Sequence, residues 1–378
     1  MGMRSKPLRH AAALVLAAGL FGAGCAPTTQ VHGYVPPAAD VARVVAQVAR
    51  LPVERLLMTD SARLLRLEAD LSARVVGHED NIRRVAKVIR RNYAGFASRR
   101  PMGSFLFLGP TGVGKTELAR ALAEVLFGNK DALVRVDMSE MAEAHSVSRL
   151  IGAPAGYLGH GEGGQLTEPV RRKPSCVLVL DEVEKAHRDV QMLLLQVLEE
   201  GRLTDGKGRH VDFSNAVVVL TTNLGAEAFS RGKRTLGFAG GEVTGGDDAE
   251  AAQKVARQAL PAELWNRIDE RLAFRPLEEV DVARIATLLL AESSRRLSVE
   301  KGIIYTADEG VVGLLLAKGG FDPQLGARPM RQMVQRWVEG PLAERILAGE
   351  FGAGDRVRVA VSAGELDFRR ELSPAQQA

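Results

Sequence analysis

Apolar positions along this chain change their period twice, and those changes divide it. Val41, Val44, Val45 and Val48, then Leu56, Leu64, Leu65 and Leu67, fall at helical spacing, which predicts short amphipathic helices leading into a core. Between Val75 and about Phe274, short Val- and Leu-rich runs alternate with helical segments. The runs at 104–108, 133–137, 176–181 and 216–222 are mostly continuous rather than alternating. They predict strands of a parallel sheet with both faces buried. From Glu278 the pattern is mostly helical, with candidates at 279–299, 307–318 and 327–348, followed by an alternating strand at 356–361. The expected class is α/β, a parallel sheet with helices on both faces, followed by a small, mainly helical lid domain with a short strand.

The first residues follow a different rule. Arg4, Lys6 and Arg9 precede an apolar stretch at 11–24 that ends at Cys25, the layout of a bacterial secretion signal. The run is short for a bilayer span. Cys25 after small residues resembles a lipoprotein cleavage box, although Gly22 stands where that box usually has leucine. Two further readings are a start codon placed too early and an Ala-rich helix that is never processed. Residues 26–37 read as a linker. Four divisions result: 1–37 signal-like segment and linker, 38–276 α/β domain with a helical lead-in at 38–73, 277–368 lid, and 369–378 polar tail.

Composition adds mainly exclusions. With 378 residues, 46% hydrophobic and 25% charged, the chain has globular proportions. Lysine and arginine number 50 against 46 acids, a net charge of +4 without a long basic run, so nucleic acid is not an expected partner. Cys25 and Cys176 lie far apart, and Cys176 precedes an apolar strand where a buried thiol is expected; neither a disulfide framework nor a metal site is indicated.

The chemistry is concentrated in two motifs. Gly109-Pro110-Thr111-Gly112-Val113-Gly114-Lys115-Thr116 follows one predicted strand and opens a predicted helix, the context a phosphate-binding P-loop requires. Its glycines let backbone N–H groups curl round phosphates, and the helix terminus adds positive dipole. Lys115 supplies a point charge, and Thr116 is the expected Mg²⁺ ligand. The second motif, Val177-Leu178-Val179-Leu180-Asp181-Glu182, delivers two acids at the carboxyl end of a strand, where open α/β sheets bind ligands. Asp181 is expected to hold Mg²⁺ and Glu182 to activate an attacking water, so ATP hydrolysis rather than binding alone is anticipated. Asn223 ends the next strand, placed to bond the γ-phosphate or that water, or simply to serve as a turn residue.

On these motifs, together with Asp137-Met138-Ser139-Glu140, His145 to Pro154, Leu180 to His187, Gly201 to Gly206, Asn266 to Glu270 and Gly326-Ala327-Arg328-Pro329, residues 38–365 resemble the second ATPase module of the Clp family of AAA+ unfoldases. The resemblance implies an arginine finger at Arg267 reaching a neighbour's nucleotide and a sensor arginine at Arg328 over the phosphates. Without it, both would read as surface salt-bridge formers. It places adenine near Val75 and Val76, with His78 where the family usually has glutamine. Gly156-Tyr157-Leu158-Gly159 resembles a pore loop that grips substrate, the alternative being a tyrosine folded onto its own domain. Leu236-Gly237-Phe238 is similar to the tripeptide through which protease-partnered members dock a Clp-type peptidase, the alternative being a packed loop.

The resemblance therefore implies a homo-hexameric ATPase that threads unfolded or aggregated protein through a ring pore, with ATP and Mg²⁺ as cofactors and the cytoplasm as its compartment. A processed Cys25 would instead mean a lipid anchor. Ahead of residue 38 stand only the signal-like segment and linker, which motivates a second expectation: an ATP-binding regulatory or scaffold protein without processive unfolding.

Overall fold

The computed structural model describes residues 60–96, 100–143, 145–153, 163–231 and 245–371. The segment before residue 60 with Cys25, the Tyr157 loop and Leu236-Gly237-Phe238 lie outside the described residues. The chain divides into a unit up to Arg63, described only for the first turn of helix α1 (Asp60–Ser72), and a unit from Leu64 onward. Everything below belongs to the second unit.

Ten strands occur among the described residues: β1 (Gly103–Leu108), β2 (Leu133–Asp137), β3 (Val177–Asp181), β4 (Arg202–Thr204), β5 (His210–Asp212), β6 (Val217–Thr222), β7 (Glu270–Ala273), β8 (Ile304–Ala307), β9 (Arg356–Ser362) and β10 (Glu365–Glu371). Five of them form a parallel sheet in the order β2-β3-β6-β1-β7. The continuous apolar runs have the burial they predict, because β1 and β6 are buried along their whole length. Alternate residues serve opposite faces. Phe105, Phe107, Val177, Val179, Val217 and Val219 pack under helices α2 (Glu79–Arg91) and α3 (Lys115–Phe127), against Ile82, Ile89, Leu118 and Leu122. Leu106, Leu108, Leu178, Leu180, Val218 and Leu220 face α4 (Arg188–Glu200) and its Val190, Leu194 and Val197. Each fully buried side chain of this size stabilises the fold by about 2 kcal/mol.

The fifth strand, β7, was not expected. Only Leu272 of its four residues is buried, since an edge strand needs no apolar run. It follows α5 (Ala262–Arg267) and pairs with β1, which puts it at the outer edge of the sheet. The hairpin of β4 and β5, too short for a periodic signal, was also not expected.

The lid begins with α6 (Glu279–Lys301), whose first turn is closed by a reciprocal capping box between Glu278 and Asp281. Then come α7 (Glu309–Leu315), α8 (Arg328–Val334) and α9 (Gly340–Leu347). The predicted helix 327–348 is one helical run that widens over Gln335–Glu339. The widening precedes Pro341, which has no N–H to offer the carbonyl four residues back. The small sheet has three strands in the order β10-β9-β8 rather than one. Strand β10 runs to Glu371, so Arg369, Arg370 and Glu371, assigned to the polar tail, pair with Arg358, Val357 and Arg356. Val357, Val359, Phe368, Val311, Met330 and Val338 build the lid's own core. No helix among the described residues is long and apolar enough to cross a membrane.

Candidate active site

Parallel pairing puts the chemistry together before any side chain is considered. Leu108 is in register with Thr222, and Asp137 with Asp181, so the carboxyl ends of four neighbouring strands meet along one edge. The loop from β1 into α3 crosses that edge, and the amino end of α3 opens onto it. A cleft of about 640 Å³ lies there, between the sheet and the lid.

Most of the residues expected from sequence line this cleft: Val75, Val76, Thr111, Gly112, Val113, Gly114, Lys115, Thr116, Asp181, Glu182, Asn223 and Arg328. Gly109 and Pro110 stand at the base of the loop, outside the lining. Arg267 is exposed at the end of α5, away from the cleft, and its guanidinium pairs with Glu199 at 2.7 Å. Tyr157 is outside the described residues.

Lys115 is 8% exposed. Its ammonium donates to the carbonyls of Gly109 and Thr222 and, at 2.7 Å, to Asn223 Oδ1. Burial pushes its pKa down to about 8 despite the nearby Asp181, Glu184 and Glu182 carboxylates, which pull the other way. The Asn223 amide in turn donates to Glu182 Oε1 at 2.9 Å. One asparagine thus couples the phosphate-side cation to the expected base. Glu182 has φ 57 and ψ 52, a left-handed backbone that non-glycine residues seldom adopt outside functional turns. That backbone is held by its own N–H, which donates to Thr221 Oγ1 at 3.1 Å. Thr221 in turn donates its hydroxyl to Asp181.

Several site residues were not singled out from sequence. Arg135 on β2 pairs with the Asp181 carboxylate and lines the cleft. Asp137, two residues on and therefore on the same face, also lines it; the Ser139 hydroxyl and N–H hold its carboxyl below the usual carboxylate range. The Asn223 N–H donates to Glu184 Oε1, while Glu184 Oε2 is buried without a partner. Leu277, Ile285, Leu288 and Leu289 from the lid line the cleft together with Val75 and Val76, so α6 and the segment before it supply part of its apolar lining. The signal for the first two was present in the alternation of β2. The lid residues have no signal except the general amphipathic pattern of α6.

The lid meets the phosphate loop backbone to backbone. The Ala327 N–H donates to the Gly112 carbonyl at 3.2 Å, and a Cβ on Gly112 would lie 2.0 Å from the Leu325 carbonyl oxygen. Only glycine allows this approach. It brings Arg328, at the start of α8, to the rim above the loop.

The donors fit a magnesium triphosphate. Thr116 offers a hydroxyl, and Asp181 and Asp137 offer carboxylates, all three lining the cleft. Among the described residues no group of three or more His, Cys, Asp or Glu is arranged for a metal ion.

Comparison with known proteins finds matches to two family models. Residues 100–271 match the family model described as AAA domain (Cdc48 subfamily), and residues 277–359 that of the C-terminal, D2-small domain, of ClpB protein. The chain is 45% identical over 326 residues to a probable chaperone protein ClpB 1 of Chlorobaculum tepidum, covering 85% of this chain and 73% of that one. Against the chaperone protein ClpB of Vibrio cholerae it is 46% identical over 329 residues, spanning 87% of this chain but 37% of that one. With the ATP-dependent Clp protease ATP-binding subunit ClpC of Staphylococcus saprophyticus it shares 46% over 325 residues, and 39% of that protein is covered. A closed-state cryo-EM reconstruction of Hsp104 with ATPyS and FITC casein superposes with a TM-score of 0.71 at 36% identity, covering 87% of this chain and 56% of that chain.

Proposed function

The chain belongs to the Clp family of AAA+ ATPases, and from that premise we propose that it is the motor of a protein unfoldase, drawing unfolded or aggregated polypeptide through the pore of a homo-hexameric ring as it hydrolyses ATP. The observation that carries the reading is the chain of contacts from Lys115 through Asn223 to Glu182 on the floor of one cleft with Arg328 at its rim.

In this reading Val75, Val76 and the lid leucines hold the adenine. The N–H groups of Thr111 to Thr116 and the Lys115 ammonium hold the phosphates. Thr116 and Asp181 hold Mg²⁺, which when bound draws charge from the outer phosphate oxygens. Glu182 keeps one oxygen on Asn223 and has the other free to accept a proton from water. As that proton leaves, the water oxygen bonds to the γ-phosphorus and the bond to the β-phosphate oxygen breaks, releasing ADP and phosphate. Arg328 and a neighbour's Arg267 stabilise the charge that develops on the transferred group. Tyr157 grips the polypeptide, and Leu236-Gly237-Phe238 docks a Clp-type peptidase.

Support for unfolding comes from relatives named as chaperones and from the Hsp104 reconstruction that contains casein. The test is Glu182→Gln. Removing a general base costs about 10²- to 10⁴-fold in turnover, while the Asn223 contact and nucleotide binding remain. Turnover at the unsubstituted rate would mean that the base is misassigned. Threading is tested separately, by unfolding of a tagged folded substrate with Tyr157→Ala. Unfolding by neither protein would favour an ATP-binding scaffold, and equal unfolding by both would remove Tyr157 from the grip.

A further inference from the structure

His78 sits beneath the phosphate loop. Its ring is 5% exposed, tilts against Phe274 at 4.7 Å between centroids, and faces Gly114, whose absent Cβ would lie 3.9 Å from its Cδ2. His78 Nε2 lies 2.8 Å from the Val113 carbonyl oxygen. A carbonyl cannot donate, so the proton is on Nε2 and the ring is the donor. Burial lowers the imidazole's pKa, as does the Arg275 charge, while the Val113 bond and the carboxylates of Asp281 and Glu79 oppose the shift.

A peptide unit is planar and trans, so its C=O and the following N–H point in opposite directions. Fixing the Val113 carbonyl onto His78 therefore turns the Gly114 N–H away from His78. Gly114 and Val113 both line the cleft. The peptide lies immediately before Lys115, at the amino end of α3, where anions are held. His78 is also joined through Gly77 to Val76 and Val75 on the base side of the cleft, and Gly77 is so close to the lid that a Cβ there would meet the Asp281 carboxyl at 3.2 Å.

We propose that His78 is a positioning residue for nucleotide: its Nε2–H aims the Val113–Gly114 peptide so that the Gly114 N–H faces the phosphates. The proposal rests on the nucleotide reading above. The role needs a donor at that spot, not a charge. Glutamine, with an amide N–H of similar reach, fills it; phenylalanine and methionine fill the space without donating.

The experiment uses the full chain with His78→Gln, His78→Phe and His78→Met, and measures binding of a fluorescent ATP analogue, ATP turnover and thermal unfolding. The donor-free pair should bind roughly tenfold more weakly, the order that one hydrogen bond carries, through a raised KM with kcat changed less than about twofold. His78→Gln should stay within about twofold of the parent. Donor-free variants that bind like the parent overturn the role, and so does a glutamine variant as weak as phenylalanine. If phenylalanine unfolds the protein, methionine against glutamine decides by the same criterion. A parent protein that binds no nucleotide overturns the nucleotide reading and this role together, and is recognised because the parent itself fails.

Discussion

Lys115 shows how a single residue links the empty and the loaded cleft. Its three ammonium protons are already used on Gly109, Thr222 and Asn223, and burial holds its pKa near 8. An arriving triphosphate favours the charged form and raises that pKa, so above pH 8 binding takes up a proton. Affinity for ATP should therefore be flat in this group well below pH 8 and fall as pH rises through 8, by up to about tenfold per unit. The effect on stability has the opposite sign. An unfolded lysine titrates near the ordinary 10.5, so between pH 8 and 10.5 the unfolded chain holds more protons and this group's contribution to stability rises with pH. Titrations of ATP at pH 7, 8 and 9, beside unfolding curves, measure both. A level affinity across pH 9 would show that Lys115 is not the phosphate cation. The P-loop and the Asp181-Glu182 pair were legible because their spacing is local. The contacts of Arg135 and His78 were not. Their partners, Asp181 and Val113, stand 46 and 35 residues away, and only the pairing of β2 with β3 and the packing under α3 bring them near.

Between elements, the contact that decides geometry is made by two glycines. Gly326, before α8, would carry a Cβ 2.5 Å from the Gly112 carbonyl oxygen, and it has a φ of 62. Two causes can thus make it glycine: the left-handed backbone, or the closeness of the lid to the phosphate loop. Alanine is disfavoured by both. Asparagine tolerates the backbone far better but still brings a Cβ. If closeness governs, Gly326→Ala and Gly326→Asn should both weaken ATP binding by about tenfold or more, since the loop must give up the Ala327 bond and Arg328 is displaced. Asparagine that binds like glycine would leave only the backbone as the reason. Sequence marks Gly326-Ala327-Arg328-Pro329 as a motif without giving that reason, because the partner is Gly112, far back in the chain. The strands that escaped the hydrophobic pattern did so for a related cause. β7 and β10 are edge strands, each with a single fully buried side chain, Leu272 and Phe368. One apolar residue among charged neighbours has no period to read.

Arg267 does not line its own subunit's cleft. Its guanidinium lies beside Glu199, both about half exposed, at the end of α5. If it stabilises a phosphoryl group, that group belongs to another copy, and a head-to-tail contact makes a ring when its rotation closes. Hydrolysis should then depend on assembly, with specific activity rising with protein concentration. A mixing experiment is sharper. Lys115→Ala has a dead nucleotide site but an intact arginine, and Arg267→Ala has an intact site but no arginine to lend. Alone, each should be inactive. Mixed in equal amounts with free subunit exchange, a site works when an Arg267→Ala subunit is followed by a Lys115→Ala subunit, which in a cyclic assembly happens at about a quarter of positions. Recovery of about a quarter of parental activity is the expected result. If Arg267 served its own subunit, no mixture of the two would work at all, since every site would lack one of the two groups.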